Sequence, residues 1–479
     1  MYTLNDIFLG KNDGKKEASY RPDFENYFYD HNKIYHKVMQ NEKYLVLGRK
    51  GTGKSILGEF IKKKAQNDAE WFCNLCSYKE FQFHELVNLK NGDIKPNEYI
   101  SIWEWVILLE LAKLCLENEN LSYSETWQKL NKFVRDNFFT VKLNAMKIIE
   151  VTQQNKLSGN LFKFGGEHGK TKKYSVGSYL YYLDDLRETV FELLAETDCK
   201  YTLIYDELDD KFRNNEIYKN SIISLIKAVD KINLSMLDNR INGKVTVLLR
   251  TDIFYILNDP DLNKIKIDNS ITIDWGATIQ VDSPLFDLVF TKIKASVPDL
   301  KDKSRVELFT LFFPEQIRRI DTEKFLLGRT FFRPRDVVTY LNFIIEKYAQ
   351  ESRFKEHAFI ELEKDYSTYF FQEVRNELSG HLDDLLIDEG TLLLKQYNRG
   401  EFKFKNLKEY YEKNKSIYPN IKLEEILKTF FEFGLIGNKW KKDGMDRYFY
   451  SWAYRDNKAV IDFDKEFAIH VGLRTELSL

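Results

Sequence analysis

The chain has 479 residues, of which 43% are hydrophobic and 30% are charged. This balance predicts two to four globular domains and excludes a largely disordered protein. Lys and Arg number 72 against 74 Asp and Glu. The formal net charge of -2 excludes a basic field over the whole molecule, so a nucleic-acid surface would have to be local.

The start of the chain and its most apolar stretch indicate whether the protein is secreted or inserted into a membrane. Residues 1–18 lack the continuous apolar core of a signal peptide. The stretch YISIWEWVILLELAKLCL contains Glu104, Glu110 and Lys113, whose charges are unfavourable inside a bilayer, so it predicts a buried helix. We expect a cytoplasmic protein that does not enter the membrane.

The cysteines Cys73, Cys76, Cys115 and Cys199 are too few and too scattered for a disulfide framework, which also indicates a reducing compartment. Cys73 and Cys76 have the CxxC spacing of a metal or redox pair. A tetrahedral zinc needs two further ligands, and the sequence has no second CxxC and no HxxxH. We therefore favour two half-buried thiols at the end of a strand.

The first elements in chain order alternate between strands and helices. Residues 43–48 predict a short buried strand, and KSILGEFIKKKAQN, which follows a glycine-rich loop, predicts a helix with a cationic end. Further strands are predicted at EWFCNLCSY and at residues 200–210, 243–252 and 269–275, with the helix KNSIISLIKAVDKINLSML among them. This alternation predicts an α/β fold with a parallel sheet covered on both faces.

The remaining segments read as additions to that core. Residues 97–198 predict a helical insertion, in which residues 155–178, rich in Gly, Ser and Lys, predict a mobile loop in solvent. After Trp275 the pattern is helical to about residue 365, with Pro334 at a first helical position and Asp336 in a first turn. We interpret 281–365 as a helical lid, which follows the core segments 1–96 and 199–280.

Residues 366–479 have the pattern of a winged-helix domain. Helices lead to LEEILKTFFEFGLIGN and then to KWKKDGMDRYFYSWAY, where Asp443 and Gly444 mark a hairpin turn. Residues 395–459 carry 15 Lys and Arg against 9 Asp and Glu, a local net charge of +6. The hairpin is flanked by Lys439, Lys441, Lys442 and Arg447, with Trp440 and Tyr448 between them.

Two interpretations of this basic hairpin stay open. A winged helix places its second helix in the major groove and its hairpin on the backbone, which makes DNA contact one of them. Winged helices also dock proteins, and lysines on an edge hairpin prevent aggregation.

The stretch YLVLGRKGTGKS satisfies G-x-x-x-x-G-K-S with Gly48, Gly53, Lys54 and Ser55. Glycines let several backbone N–H groups wrap around a polyphosphate. Lys54 supplies a mobile cation for the β and γ phosphates, and Ser55 ligates Mg²⁺. With a strand before and a helix after, this predicts an ATP-binding Walker A motif made of Gly48, Lys50, Gly51, Thr52, Gly53, Lys54, Ser55 and Ile56.

A carboxylate is still needed for the magnesium, and LIYDELDD offers one at the end of a predicted strand. We assign Asp206 to the magnesium shell, as a Walker B acid, and Glu207 to orienting and deprotonating the attacking water. Acids after an apolar strand also cap the loop into the next helix, a role that suits Asp209 and Asp210 better.

The motifs GRKGTGKS, YDELDD, LLRTD and FRPRD together resemble those of the additional-strand catalytic-glutamate P-loop ATPases, the group that contains AAA+ and STAND proteins. More narrowly, the chain is similar to a set of bacterial P-loop ATPases of poorly defined function that carry a GRKGxGKS loop. The segment FAIHVGLRTEL is similar to the final segment of that set. The resemblance covers core, lid and tail, whereas the insertion matches nothing specific.

This resemblance implies that VTVLLRTD lies between the two Walker strands and carries the sensor position at its end. Thr251 or Arg250 would then lie near the γ-phosphate. A small polar residue is usual there, so Arg250 is alternatively an electrostatic stabiliser or a structural pair for Asp206 or Glu207.

Further arginines are implied by the same resemblance. Arg335 matches the sensor-2 arginine of a lid helix, which binds phosphate oxygens in two-pronged fashion. Arg333 is the neighbouring alternative for this role. A surface salt bridge is the alternative explanation that needs no nucleotide. Arg318 and Arg319 are candidates for a trans-acting finger by location only, since a helix with two arginines usually faces solvent.

The leading functional hypothesis is an Mg²⁺-dependent ATPase or ATP-driven switch that moves lid and C-terminal domain and acts on a nucleic-acid or protein partner. By analogy with proteins of this class, the resemblance also implies self-assembly and a role in genome maintenance or phage defence. The alternative is a non-hydrolytic, nucleotide-gated module that binds DNA or protein. A P-loop kinase fits the long insertion and tail poorly, and no NKxD motif indicates guanine.

Overall fold

The computed structural model describes residues 2–77, 96–138, 180–208, 216–276, 283–442, 444–456 and 458–479. The helices up to residue 273 are α1 (Gly14–Tyr20), α2 (Ile34–Val38), α3 (Lys54–Gln66), α4 (Pro96–Glu117), α5 (Glu125–Phe138), α6 (Leu180–Ala195), α7 (Glu216–Asp238), α8 (Thr251–Tyr255) and α9 (Pro260–Asn269). The later ones are α10 (Pro284–Ser296), α11 (Arg305–Phe312), α12 (Thr322–Gly328), α13 (Pro334–Lys347), α14 (Glu356–Glu361), α15 (Glu363–Leu378), α16 (Asp384–Tyr397), α17 (Phe404–Lys413), α18 (Leu423–Glu432) and α19 (Val471–Arg474). The strands are β1 (Leu45–Gly48), β2 (Trp71–Ser77), β3 (Lys200–Asp206), β4 (Gly243–Arg250), β5 (Ser270–Ile273), β6 (Gln316–Ile317), β7 (Ile320–Asp321), β8 (Glu401–Lys403), β9 (Ile436–Lys441), β10 (Tyr448–Ser451) and β11 (Glu466–Ile469).

The chain divides into two compact units. The sheet unit comprises Asn32–Arg49 and Lys54–Ile273. The terminal unit, named for the two chain ends that it contains, comprises Met1–His31, Lys50–Gly53 and Asp274–Leu479. The crest of the glycine-rich loop, residues 50–53, thus groups with the terminal unit, whereas β1 and α3 group with the sheet unit.

Among the described residues of the sheet unit, five strands form one sheet in the order β2-β3-β4-β1-β5. Each neighbouring pair in this sheet is parallel. The predicted parallel sheet is therefore confirmed, and β4 lies between β1 and β3. Side chains of β1, β3 and β4 are buried almost without interruption, as expected for parallel strands with both faces covered.

The helical pattern predicted for residues 97–198 is confirmed where the structure describes it, in α4, α5 and α6. α4 is a buried helix: Trp103 is fully buried and meets the ring of Tyr205 in β3 edge-on, with ring centroids 6.0 Å apart. The buried carboxylate of Glu104 pairs with Arg187 at 2.5 Å and with Lys231 at 2.7 Å. None of the helices in the described ranges combines the length and hydropathy needed to cross a bilayer.

Two sequence-based interpretations fall on residues that the structure does not describe. They are the mobile loop predicted at residues 155–178 and the capping role of Asp209 and Asp210. Both stay predictions.

The terminal unit is mainly helical from α10 to α15, as predicted, with the short antiparallel pair β6–β7 between α11 and α12. Pro334 is the first residue of α13, and Asp336 lies in its first turn. The Asp336 carboxylate is fully buried and accepts hydrogen bonds of 2.9 Å from the backbone N–H of Phe331 and from Nε of Arg333. It therefore fixes the chain that enters this helix.

The C-terminal part of the terminal unit runs α16, β8, α17, α18 and then the β9–β10 hairpin, which confirms the predicted hairpin. Gly444 lies in its turn with φ of +75°, and Asp443 lies outside the described residues. The antiparallel sheet has the order β10-β9-β11-β8 among the described strands. The sequence pattern does not predict β11, which separates β8 from the hairpin.

The chain end packs back onto the helices of the same unit. The backbone N–H of Glu476 donates to the hydroxyl of Ser367 in α15 at 3.0 Å. His470, between β11 and α19, lies among aromatic rings, with centroids 5.0 Å from Phe331 and 5.3 Å from Phe370. The chain end thus contacts the segment that leads into α13.

Candidate functional site

The carboxyl ends of the parallel strands carry the predicted site residues of the sheet unit. β1 ends at Gly48, which stands beside Arg250 at the end of β4 and Ile273 at the end of β5. β3 ends at Asp206, which stands beside Ser77 at the end of β2. Parallel strands point the same way, so these residues lie along one edge of the sheet. Open α/β sheets bind their ligands outside this edge.

Lys54 opens α3, and its side chain bends back over the start of the loop. The residue is 9% exposed, and Nζ donates to the carbonyls of Gly48 at 2.9 Å and Arg49 at 3.0 Å. Ser55 and Ile56 complete the first helical turn and are partly exposed. Since a helix N-terminus carries partial positive charge, Lys54 and this turn create a positive region suited to an anion.

The acidic pair lies where β3 ends. Asp206 is 6% exposed. Glu207, the next residue, has a left-handed backbone with φ of +59°. The hydroxyl of Ser77 donates a hydrogen bond to Oε2 of Glu207. A non-glycine residue in this conformation costs about 1–3 kcal/mol and is typical of functional sites, because the surroundings must hold it there.

Arg250 pairs with the acid two residues further along the chain. Its guanidinium forms a two-pronged ion pair with Asp252, with Nε to Oδ1 at 3.0 Å and Nη2 to Oδ2 at 2.5 Å. Arg250 is 7% exposed. Thr251, the other candidate sensor, is the first residue of α8 and is partly exposed. The pair with Asp252 sets the direction of the Arg250 side chain.

The crest of the loop has a backbone that favours glycine at two positions. The φ angle is +81° at Gly51 and +101° at Gly53, a region that side chains with a Cβ rarely enter. A Cβ on Gly51 would lie 3.2 Å from Cβ of Arg335, whereas one on Gly53 would meet open space. Gly51 is therefore required both by its backbone conformation and by its close contact with Arg335. Gly53 is required by its backbone conformation alone.

Three successive crest carbonyls accept hydrogen bonds within the terminal unit. Nη1 of Arg333 donates to the Lys50 carbonyl at 3.2 Å, the N–H of Arg335 to that of Gly51 at 3.4 Å, and Nε1 of Trp275 to that of Thr52 at 2.9 Å. In a trans peptide the N–H points away from the C=O, and the described chain has no cis peptide bond. The N–H groups of residues 51–53 therefore point away from these donors, as a phosphate-binding loop requires.

The two arginines of FRPRD differ in their surroundings. Arg333 is 1% exposed, and its guanidinium bonds to the carboxylates of Asp336 and Glu377 as well as to the loop. Burial opposes its charge, but these two carboxylates raise its pKa above the usual value. Arg335 is partly exposed and bonds to Glu373 at 3.1 Å, and the same carboxylate lies 3.4 Å from Nζ of Lys50. Arg333 is thus a buried anchor, while Arg335 stands beside the crest.

The proposed location of Arg318 and Arg319 on a helix is wrong. They form the two-residue turn between β6 and β7, with φ of +49° and +62°. Both left-handed angles are typical of a hairpin turn whose twist matches its strands. Arg318 pairs with Glu363 in α15 at 2.8 Å.

Cys73 and Cys76 both lie in β2 and are half-buried. Because successive side chains of a strand alternate in direction, residues three apart point to opposite faces. Burial raises the pKa of Cys73 to about 12, and burial together with Glu110 raises that of Cys76 well above its usual value. These thiols are poorly placed for one metal ion and poor nucleophiles at neutral pH.

Sequence reasoning missed three residues that position the predicted ones. Ser77 bonds to Glu207, Trp275 to the crest carbonyl of Thr52, and Glu373 to Arg335. Ser77 is the only one with a usable signal, since it ends a predicted strand of the parallel sheet as Asp206 does. The contacts of Trp275 and Glu373 depend on tertiary packing that no local pattern encodes.

Comparison with protein families gave one partial match. Residues 283–375 match the family described as the FunZ-associated C-terminal helical domain. This segment is similar to that domain. It begins just before α10, ends within α15 and includes Arg333 and Arg335. A search of curated proteins gave no match.

Proposed function

We propose that the protein is an Mg²⁺-dependent ATPase of the P-loop class, in which hydrolysis drives a conformational switch. One observation carries this proposal: β4 lies between the strand that leads into the glycine loop and the strand that ends in Asp206 and Glu207. An added strand at this place is what the resemblance to the additional-strand ATPases implies. The GRKGTGKS loop and the left-handed glycines at its crest support it.

The roles of the residues follow from their chemistry. The N–H groups of residues 51–53 and of the first turn of α3 would hold phosphate oxygens, and Lys54 would move from its two carbonyl partners to the β and γ phosphates. Ser55 and Asp206 would hold Mg²⁺, which neutralises phosphate charge when bound. These donors, a hydroxyl and a carboxylate, are hard oxygen ligands of the kind that Mg²⁺ prefers.

Glu207 is the proposed general base. Ser77 fixes its carboxylate, so the group is held ready to orient a water rather than left to rotate. Arg250 ends β4 and Thr251 follows it. At this edge of the sheet they would stabilise charge that develops on the γ-phosphate. Arg335 is the better sensor candidate of its pair, because four N–H contacts of Arg333 already go to protein acceptors.

The switch would start at the crest. Lys50 shares the Glu373 carboxylate with Arg335, so the crest is tied to both α13 and α15 inside the terminal unit. Phosphates bound to the crest would bias these helices, and α15 also carries the chain end through Ser367. The order helix, strand, helix, helix, strand, strand from α16 onward supports a winged-helix module that acts on a nucleic-acid or protein partner.

The test compares two substitutions with the wild type in nucleotide binding and phosphate release. Glu207→Gln should bind a fluorescent ATP analogue normally and lower phosphate release by about 100-fold or more, because only the base is lost. Lys54→Ala should lose binding and hydrolysis together. Nucleotide binding without phosphate release above background in the wild type would leave a non-hydrolytic nucleotide-gated module. Equal release above background from wild type and Glu207→Gln would remove Glu207 as the base, and phosphate transfer to a small molecule would indicate a kinase.

A further inference from the structure

The outer face of the C-terminal sheet carries two exposed tyrosines. Tyr448 and Tyr450 lie on the edge strand β10 and are 49% and 45% exposed. Residues two apart in a strand share a face and are separated by about 6.8 Å along it. An unstacked single strand can place consecutive bases at such a separation, and every base offers a flat surface to an aromatic ring.

Cations stand directly opposite these rings. Tyr448 is paired with Lys441 and Tyr450 with Lys439 across the β9–β10 ladder. Nζ of Lys439 lies 3.9 Å from the centroid of the Tyr448 ring, and Nζ of Lys441 lies 5.0 Å from it. Lys439 is only 7% exposed and lies over the Tyr448 ring, so it holds that ring in place. The exposed ammonium group of Lys441 would meet phosphates of a strand whose bases stack on the tyrosines.

The face continues across the sheet with mixed charge. In register with Tyr450 and Lys439 come Glu466 in β11 and Lys403 in β8. Lys439 also bonds to Glu401, an acid of the same face. The segment 395–459 carries a local net charge of +6, and on this face Lys403 and Lys441 are the exposed cations, the latter 3.1 Å from Asp446.

The opposite side of the hairpin repeats the pattern of ring and cation. Trp440 and Phe449 stack with centroids 6.0 Å apart. Lys442 and Arg447 lie over Phe449, each at 4.9 Å, and Lys465 lies over Trp440 at 4.3 Å. The hairpin is therefore bordered by cations on both sides.

The helix that a winged helix would insert into a duplex groove has the wrong charge. α18 exposes Glu424, Glu425 and Glu432 and a single lysine, Lys428, to solvent. Carboxylates repel the phosphates that border a groove. The charge distribution therefore favours the sheet face over α18 as a nucleic-acid surface.

We propose that the face defined by Tyr448, Tyr450, Lys441 and Lys403 binds single-stranded nucleic acid, with bases stacked on the tyrosines and phosphates at the two exposed lysines. This names a partner class for the proposed switch, but the binding needs no nucleotide. It can therefore stand or fall apart from the ATPase activity. Stacking tolerates any base sequence, so the expected binding is sequence-tolerant and salt-dependent.

The test is fluorescence anisotropy of the full chain with labelled oligothymidylate, oligouridylate and a duplex of equal length, without ATP. The wild type should bind the single strands more tightly than the duplex. The double substitution Tyr448→Ala with Tyr450→Ala should weaken single-strand binding by at least about 30-fold, as expected for two lost base stacks. Tyr123→Ala, which removes an exposed tyrosine of the sheet unit, should leave binding unchanged.

Charge is tested separately. Lys403→Gln and Lys441→Gln should each reduce the slope of log affinity against log salt by about 0.7, as expected for one phosphate contact to a single strand. Thermal unfolding checks that each variant folds like the wild type. The proposal is overturned if no labelled strand binds, if the duplex binds as tightly as the single strands, or if the double tyrosine variant binds like the wild type. Preference between oligothymidylate and oligouridylate distinguishes DNA from RNA as the source.

Discussion

The hydroxyl of Ser77 donates a hydrogen bond to the carboxylate of Glu207. The serine ends β2, and the glutamate directly follows the neighbouring strand β3. Glu207 therefore has a fixed side chain on a left-handed backbone, two constraints that a purely surface acid would lack. The bond makes Ser77 a positioning residue for the proposed base.

Replacing Ser77 by alanine should lower the kcat for ATP hydrolysis about tenfold, since one hydrogen bond to a charged group contributes about 1.5–3 kcal/mol of orientation and stability. The KM for ATP should stay unchanged, because the serine does not act on the phosphates. Steady-state phosphate release measures both constants, and Ser77→Thr, which keeps the hydroxyl, should restore the rate. An equal change in KM, or no rescue by threonine, would argue against the positioning role.

Arg333 and Arg335 lie two residues apart, but the same substitution should reduce the free energy of unfolding far more at Arg333 than at Arg335. Arg333→Met leaves the buried carboxylates of Asp336 and Glu377 without their cation, so it should reduce the free energy of unfolding by about 3–5 kcal/mol. Arg335→Met removes a partly exposed pair with Glu373, which should cost at most about 1 kcal/mol.

Urea unfolding of both variants gives this comparison, and phosphate release completes it. Arg335→Met should fold normally and hydrolyse ATP more slowly if Arg335 contacts the γ-phosphate. A stable Arg333→Met variant would contradict the anchoring role, and full activity of Arg335→Met would remove it as a sensor.

Trp275 offers a test of the loop crest. Trp275→Phe removes the N–H that holds the Thr52 carbonyl at 2.9 Å but keeps an aromatic ring. We expect several-fold weaker binding of a fluorescent ATP analogue, because the crest N–H groups lose one of the bonds that orient them. Trp71→Phe is the matched control: its indole N–H also donates at 2.9 Å, to Thr202 at the start of β3, so it should lose similar stability without a change in nucleotide affinity. Equal loss of affinity in both variants would point to a general effect on folding.

Much of the sheet unit could be predicted from the sequence. The runs that form β1, β3 and β4 are short, apolar and end in Gly48, Asp206 and Arg250, so periodicity and end residues locate them together. The placement of β4 came from the resemblance rather than from the pattern. Strand order depends on pairing between segments that are distant in the chain, and local propensity does not determine that pairing.

The errors and omissions have the same origin. Arg318 and Arg319 form a left-handed turn that lacks the Asn or Gly typical of such turns. The sequence therefore gives no turn signal there, and the helical prediction for these two residues is wrong. β11 is a short strand whose pairing with β8 and β9 is decided by the rest of the terminal unit. Ser77, Trp275 and Glu373 act on residues far away in the chain, and only the folded structure brings them together.

The final prediction concerns acid sensitivity at the chain end. His470 is buried; its Nδ1 accepts the N–H of Gly472 at 3.1 Å, which requires an unprotonated nitrogen. Burial, with Arg455 and Arg474 nearby, lowers the pKa of His470 well below its usual value. The unfolded chain therefore binds a proton below about pH 6.5 while the folded chain does not, and stability present above that pH is lost as the pH falls towards the folded pKa.

Urea unfolding followed by circular dichroism between about pH 7.5 and pH 5 should show this loss, with a slope of at most about 1.4 kcal/mol per pH unit from this one group. His470→Gln has nothing to titrate, so its stability should change less over the same range even if it starts lower. His357→Gln, which replaces an exposed histidine in α14, should keep the wild-type slope. The arginines that face His470 stay charged throughout this range, so a wild-type slope in His470→Gln would mean that another group titrates and that His470 is not the acid-sensitive contact.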